Sequence, residues 1–435
     1  MERLRKNMRG GIRVLLLATI LLISFVWIIS CSDSEVPEWG MDSPGRQEIA
    51  AIGLPLVEIE TVDFEEPTYE KANKPEGMLG NTIINATSVP GKMRIVCRNE
   101  KKYDSGAYVK GKSGITLRVR GNTSALTSPK KPYKITLQQK ADLLGRSDKK
   151  YENKDWVLLR FDNLKTKVGM WMNELVGMPW TPAEQYVNVI LNGRYLGLYT
   201  LAENIKRDKE CRVDIEKEGF LFEYDAYWWN EGIYIPSKLY RAMQYTLKYP
   251  KPEDITSEDV AYLSELLKNV EDALYKDYDK YLDVSSFAAW LLAHDILGNQ
   301  DSAGSNIFLS KYDRGDSKIQ IGPLWDFDKI METTDEWSNE HKIFYFKIWW
   351  ERKDKIMLSA YKEKWGMLSD DLFNEIEYRL SSYNASKETK QVNASIIQDN
   401  QTWGTTNPPL TESIESIRTW FKQRQEWMKK SIELL

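Results

Sequence analysis

Between Ile296 and Lys329 the chain sets Asp301 five residues before Asn306 and places Asp326-Phe327-Asp328 twenty residues after Asn306. Phosphoryl-transfer sites use this order. One Asp takes the proton of the attacking hydroxyl, an Asn five residues on holds a metal ion, and an Asp opening a later Asp-Phe-Gly holds metal against the nucleotide phosphates. The segment departs from that pattern twice, since no His-Arg precedes Asp301 and Asp328 stands where the Gly would be. His294-Asp295 has the look of a reduced His-Arg-Asp, but Asp295 lies eleven residues before Asn306, which leaves Asp301 as the candidate base. In extended geometry Asp326 and Asp328 would point to one side, two carboxylates suited to a hard cation. By themselves they would serve equally as a structural Ca²⁺ site or as one carboxylate of a glycosidase pair.

Other polar groups stand at the ends of apolar runs. Arg118 and Arg120 share one face of a strand that ends in the turn Gly121-Asn122-Thr123-Ser124, and Lys130-Lys131-Pro132-Tyr133-Lys134 follows. Exposed turn amides flanked by strand cations can cradle phosphate, although no Walker pattern is present and a plain Gly-Asn turn beside solvated lysines is the bland alternative. Glu203, after the run 195–202, stands where an acid could orient a cation or a metal, or simply cap a surface. Glu223 and Asp225 end another apolar strand in the same manner.

These groups must be positioned by a chain of 435 residues that is 42% hydrophobic and 29% charged, enough for one large core or two modest ones. A net charge of −4 with only short basic runs gives no electrostatic footprint for nucleic acid. With only His294 and His341, a multi-His zinc site is excluded. Sixteen Trp and 23 Tyr suit a large core or a carbohydrate-facing surface.

The N-terminus carries an address. Arg3, Arg5, Lys6, Arg9 and Arg13 precede an apolar run over 14–29, and Ser30 leads into Cys31. The arrangement resembles a lipoprotein signal over 1–30, cleaved before Cys31 with lipid attached to its thiol; a retained anchor helix is the alternative. Either way the expected location is extracytoplasmic, at the outer membrane or cell surface. Residues 31–54 read as a tether, and Cys97 and Cys211 are expected as unpaired thiols.

Alternation predicts strands over 56–62, 83–86, 93–97, 115–119, 133–137, 156–160 and 187–191, with Asn192-Gly193 as a two-residue hairpin turn. Helical spacing takes over at 257–275, 284–297, 370–381 and 411–434, the last with Thr411 as N-cap. Strands about 55–225 followed by helices about 226–435 predict an α+β fold with its ligand site in the cleft between the two parts.

Taken together, Arg120-Gly121-Asn122-Thr123-Ser124, Pro129-Lys130-Lys131-Pro132-Tyr133-Lys134, Asp155-Trp156-Val157-Leu158-Leu159, Val189-Ile190-Leu191-Asn192-Gly193 with Tyr195, Gly197, Tyr199 and Glu203, then Asn299 to Asp301, Asn306, and Pro323-Leu324-Trp325-Asp326-Phe327-Asp328 resemble the spore coat protein H (CotH) kinase family. The six pieces run in the family's order, and the family domain is expected over most of 55–435. The resemblance implies an atypical protein-kinase-like fold that binds ATP with Mg²⁺ or Mn²⁺ and phosphorylates Ser or Thr of secreted or surface proteins. It further implies Asp301 as catalytic base, Asn306 and Asp326 as metal ligands with Asp328 as a further one, and Lys131 or Lys134 with Glu203 as the phosphate-orienting pair beside Arg120. ATP is scarce outside the cytoplasm, so a non-catalytic surface module that holds a glycan in a vestigial cleft is the rival reading.

Overall fold

The computed structural model describes residues 44–435 apart from 99 and 302–304. The lipoprotein signal, Cys31 and the tether up to residue 43 lie outside the described residues. Helix α1 (Pro44–Ile52) precedes the expected start of order at Leu54. Its Ile49 packs with Leu56 and Ile190, and Arg46 pairs with the buried Glu58, so this part of the tether is fixed to the strands behind it.

The strand-rich part consists of β1 (Leu56–Thr61), a ribbon of β2 (Glu70–Lys71) and β3 (Ile83–Ile84), β4 (Val89–Cys97), β5 (Glu100–Asp104), β6 (Ile115–Val119), helix α2 (Thr123–Thr127), β7 (Tyr133–Ala141), β8 (Asn153–Arg160), helix α3 (Lys165–Leu175), β9 (Glu184–Leu191) and β10 (Arg194–Glu203). Strand order is β1-β9-β10-β8-β7-β6-β4, and β1 returns to pair antiparallel with β4, which closes the sheet into a barrel; β5 shares the outer edge of β4 with β6. Closure removes the free edges that a twisted sheet would otherwise expose. Inward side chains such as Val57, Met93, Ile115, Leu117, Ile135, Trp156, Leu158 and Val189 fill the interior. The Asn192-Gly193 turn joins β9 to β10 as expected, with φ of 50° and 73°, the doubly positive pair a two-residue hairpin turn requires.

β8 and β10 are buried on both faces. Trp156 and Leu158 point into the barrel while Val157 joins a second core, and Tyr199 and Leu201 alternate with Leu198 and Ala202 in the same way. This explains why Trp156-Val157-Leu158-Leu159 reads as a continuous apolar run.

The second core packs a sheet of order β12-β13-β11-β14-β15 against helices. Its strands are β11 (Phe220–Asp225), β12 (Tyr234–Ile235), β13 (Gln244–Tyr249), β14 (Ile307–Lys311) and β15 (Gln320–Ile321). The helices are α4 (Ser257–Ala273), α5 (Val284–Leu297), α6 (Phe344–Glu351), α7 (Lys355–Asn384), α8 (Lys387–Trp403) and α9 (Leu410–Glu433). α4 starts on a capping box of Thr256 and Asp259, and α5 on Asp283, whose side chain accepts the Ser286 N–H. Every residue of α5 from Phe287 to Leu297 is buried, the mark of a helix surrounded by its own protein. Among the described residues no helix is long and apolar enough to cross a membrane.

The architecture is α+β, strand-rich first and helix-rich second, as the sequence predicts. Several details differ. α7 runs far beyond 370–381; its first half is not predicted because no residue between Tyr361 and Leu372 is fully buried and its apolar stripe is interrupted. α9 begins on Pro409 rather than Thr411, since Asn393 of α8 accepts the Leu410 N–H at 2.7 Å and caps the helix from outside. β15 ends at Ile321, and Asp326 has φ 65°, so Asp326 and Asp328 do not continue a strand.

Candidate active-site cleft

A cleft of about 370 Å³ opens between the barrel and the second sheet. Its barrel wall carries Arg118, Arg120 and Lys134; its far wall carries Glu223, Asp225, Lys248, Asn306 and Trp325.

The basic wall follows from strand register. β6 and β7 pair Arg118 directly opposite Lys134, and Arg120, two residues beyond Arg118, falls on the same face, with its N–H still bonded to the Pro132 carbonyl at 3.1 Å. Like charges directly across a strand pair are destabilising, so such a wall is expected where an anion is held. Asp155 relieves part of the repulsion: it pairs with Lys134 at 2.9 Å and with Lys206, and those two ammonium groups outweigh burial and hold its carboxyl down at about 2. The Arg120 guanidinium lies 6.0 Å from the Trp325 ring and feels the charges of Asp326 and Glu223.

The acidic wall is built at the ends of β11 and β14. Asn306 stands one residue before β14 with φ 64°, and its amide donates to Asp326 Oδ2 at 3.0 Å. Its own N–H donates to Glu223 Oε1 at 2.8 Å, while Glu223 Oε2 pairs with Lys248 at 3.0 Å. Burial would pull Lys248 down, but Glu223, Asp225 and Glu231 together raise it. Asp225 accepts the Tyr227 N–H at 2.8 Å and the Thr246 hydroxyl at 3.1 Å; burial and then Glu223 push its carboxyl up.

Asp326 is exposed to solvent yet crowded by protein around its carboxyl. That crowding, followed by the charge of Asp328 and against that of Arg120, raises its carboxyl. Asp301 is raised in the same direction, first by partial desolvation and then by Asp328. The structure thus brings Asn306 and Asp326 into contact and sets Asp301 and Asp328 within electrostatic reach of Asp326. The acidic residues carry a surplus of negative charge that a cation would relieve.

The support is cross-linked. α5 ends at Gly298 (φ 56°), after which Asn299 Oδ1 accepts the Asp301 N–H at 3.0 Å, Gln300 N–H bonds the Lys329 carbonyl at 3.2 Å and Met331 N–H bonds the Leu297 carbonyl at 2.8 Å. These bonds clamp 297–301 to 329–331. Phe327 packs on Gly169 of α3 so closely that a Cβ there would lie 2.3 Å from the ring. Lys165, at the start of the same helix, donates to the Asp328 carbonyl at 2.7 Å.

Of the residues expected as a phosphate-orienting set, Lys134 and Arg120 line the cleft. Lys131 turns the other way and donates to the Ala125 and Ser128 carbonyls, both at 2.7 Å, pinning the turn around α2. Glu203 is buried against Arg146 at 2.8 Å and accepts the Ala183 N–H at 3.0 Å, so its partner is an arginine. The third lysine of the cluster, Lys130, is buried on Asp399 of α8. Asp295 is fully buried as well: it accepts from Ser338 Oγ at 2.7 Å and Tyr361 at 2.8 Å, and lies 2.8 Å from His341 Nε2. It is a structural hub, consistent with its rejection as the base. Sequence reasoning placed Arg118 only among the strand cations able to flank a phosphate and left Lys248 without a role. Arg118 was legible from its alternation with Arg120, whereas Lys248 had no local signal.

A family model described as CotH kinase protein matches residues 117–428, more than half of the chain. No curated protein matches it.

Proposed function

The chain belongs to the CotH kinase protein family, and on that premise we propose that it is an exported phosphotransferase of atypical protein-kinase-like fold, acting on Ser or Thr of secreted or surface proteins. The barrel and the helical part would be its two lobes. The observation that carries the reading is a cleft whose one wall sets Arg118, Arg120 and Lys134 opposite Asn306 on the other, whose amide donates to Asp326.

The donor set fits ATP with Mg²⁺ or Mn²⁺. Among the described residues no group of three or more His, Cys, Asp or Glu could hold a metal alone. A cation held by Asn306 and Asp326, with Asp328 beside them, would complete its shell from phosphate oxygens and water. When bound, the nucleotide supplies the γ-phosphoryl group and the metal neutralises its charge. Arg118, Arg120 and Lys134 bind and orient the phosphates. Asp301, whose carboxyl is raised first by partial desolvation and then by the charge of Asp328, accepts the proton of the acceptor hydroxyl.

Full-length chain incubated with labelled ATP, Mn²⁺ and a generic protein acceptor should transfer label, and Asp301→Asn and Asp326→Ala should each lose at least about a hundredfold in rate. Absence of both transfer and an ATP-induced thermal shift in the wild type would overturn the proposal. Lipidation of Cys31 belongs to the same proposal; Cys31→Ala should move the protein out of the membrane fraction. A second reading, a module that holds a glycan without catalysis, draws on Tyr227 and Trp325 among the lining residues. Glycan-array binding that persists in Asp326→Ala, with no transfer by wild type, would favour it.

A further inference from the structure

We infer that Glu223 is a positioning residue, whose side chain sets the backbone of Asn306 so that the Asn306 amide meets Asp326 in the arrangement that receives the metal. The inference rests on the phosphotransferase reading.

The argument begins with strand register. β11 and β14 pair antiparallel, with Tyr224 opposite Ile307 and Glu223 opposite Phe308. One residue earlier Asn306 leaves the ladder in a left-handed conformation, which a non-glycine residue adopts uncommonly, Asn more readily than most. An N–H that leaves a ladder needs another acceptor. Here that acceptor is a side chain, since Glu223 Oε1 takes the Asn306 N–H at 2.8 Å.

Glu223 is itself held. It is 8% exposed, and its other oxygen pairs with Lys248 of β13 at 3.0 Å, a strand hydrogen-bonded to β11 on the opposite side from β14. Arg120 adds positive charge from the barrel wall. The carboxylate therefore has one oxygen fixed by a cation and the other aimed at a single backbone N–H. On the far side of that N–H, Asn306 Nδ2 donates to Asp326 Oδ2 at 3.0 Å, and Asp326 is also left-handed. Lys248, Glu223, Asn306 and Asp326 thus form a continuous chain of contacts, and the backbone of the ligand residue Asn306 is fixed by a member that would not itself hold the metal. Groups that orient metal ligands in this way commonly account for about 10- to 100-fold in metal affinity.

Two conservative variants separate reach from charge. Glu223→Gln keeps the length and an acceptor oxygen but loses the charge; Glu223→Asp keeps the charge but falls short by one methylene. Mn²⁺ affinity of the full-length chain, read by electron paramagnetic resonance of free Mn²⁺ in the presence of a non-hydrolysable ATP analogue, is the readout, with thermal melting as the control for folding. Positioning predicts that Glu223→Asp weakens Mn²⁺ binding about tenfold while Glu223→Gln stays within about threefold of wild type, both melting close to wild type. If wild type binds Mn²⁺, Asp326→Ala abolishes binding and Glu223→Asp binds as wild type does, the positioning role is overturned and the site reading stands. Glu223→Gln weaker than Glu223→Asp would also overturn it, because charge rather than reach would then matter. If wild type binds no Mn²⁺, the phosphotransferase reading falls and this inference with it.

Discussion

Asp155 shows how one carboxylate can stabilise the cleft wall without entering the chemistry. Its pKa of about 2 lies below the ordinary carboxylate value, so its pairing with Lys134 and Lys206 contributes stability above about pH 4 that is lost as pH falls toward 2. The full contribution is on the order of 2 kcal/mol. Denaturant unfolding should show wild type more stable than Asp155→Asn at pH 6, with the gap closing by pH 2; a gap independent of pH would refute the linkage. Gly169 tests a steric link to the site. Gly169→Ala should cost about 1–3 kcal/mol by overpacking against Phe327, and should weaken Mn²⁺ binding because Phe327 is flanked by Asp326 and Asp328. A melting temperature equal to that of wild type would count against it. At this scale the sequence exposed the candidate ligands by spacing alone, but it could not choose among Lys130, Lys131 and Lys134. Their side chains part company only because one meets Asp399, one meets turn carbonyls and one meets Asp155.

The elements behind the site are tied together at Asp295 near the end of α5. Its carboxylate joins Ser338 and His341 ahead of α6 and Tyr361 of α7, while its carbonyl accepts from the buried Arg424 of α9. Asp295→Ala leaves those donors without their acceptor and should destabilise the fold by about 3–5 kcal/mol. A melt unchanged in that variant would show the hub to be dispensable. The cap of α9 is smaller and separable: Asn393→Ala should cost about 1 kcal/mol, read as a lowered melting temperature, because Leu410 loses its acceptor. Regular elements were legible wherever periodicity ran unbroken, as in β6 or α5, whose predicted bounds 115–119 and 284–297 match those observed. α8 was missed because the face it buries carries polar groups, among them Asp399 and Ser395, which are satisfied by the barrel strands.

For the molecule as a whole, the family match begins at residue 117, inside β6, yet the barrel is closed by β1, which pairs with β4 over six residues and runs parallel to β9. A chain beginning at residue 117 would lack β1, β4 and β5 and leave β9 and β6 as open edges. It should be recovered insoluble or digested by protease under conditions in which a chain beginning at residue 44 resists. Equal resistance would show that closure is not needed. The sequence by itself determined the order of strands then helices, the hairpin at Asn192-Gly193 and the types of residue able to hold phosphate and metal. These depend on local periodicity, turn chemistry and spacing, which are properties of neighbouring residues. Only the tertiary structure decided that Arg118 faces Lys134, that Glu203 belongs to Arg146 and that Glu223 holds Asn306. Each of these depends on which distant segments the closed barrel and the second sheet bring within a hydrogen bond of one another, and no local pattern encodes that distance.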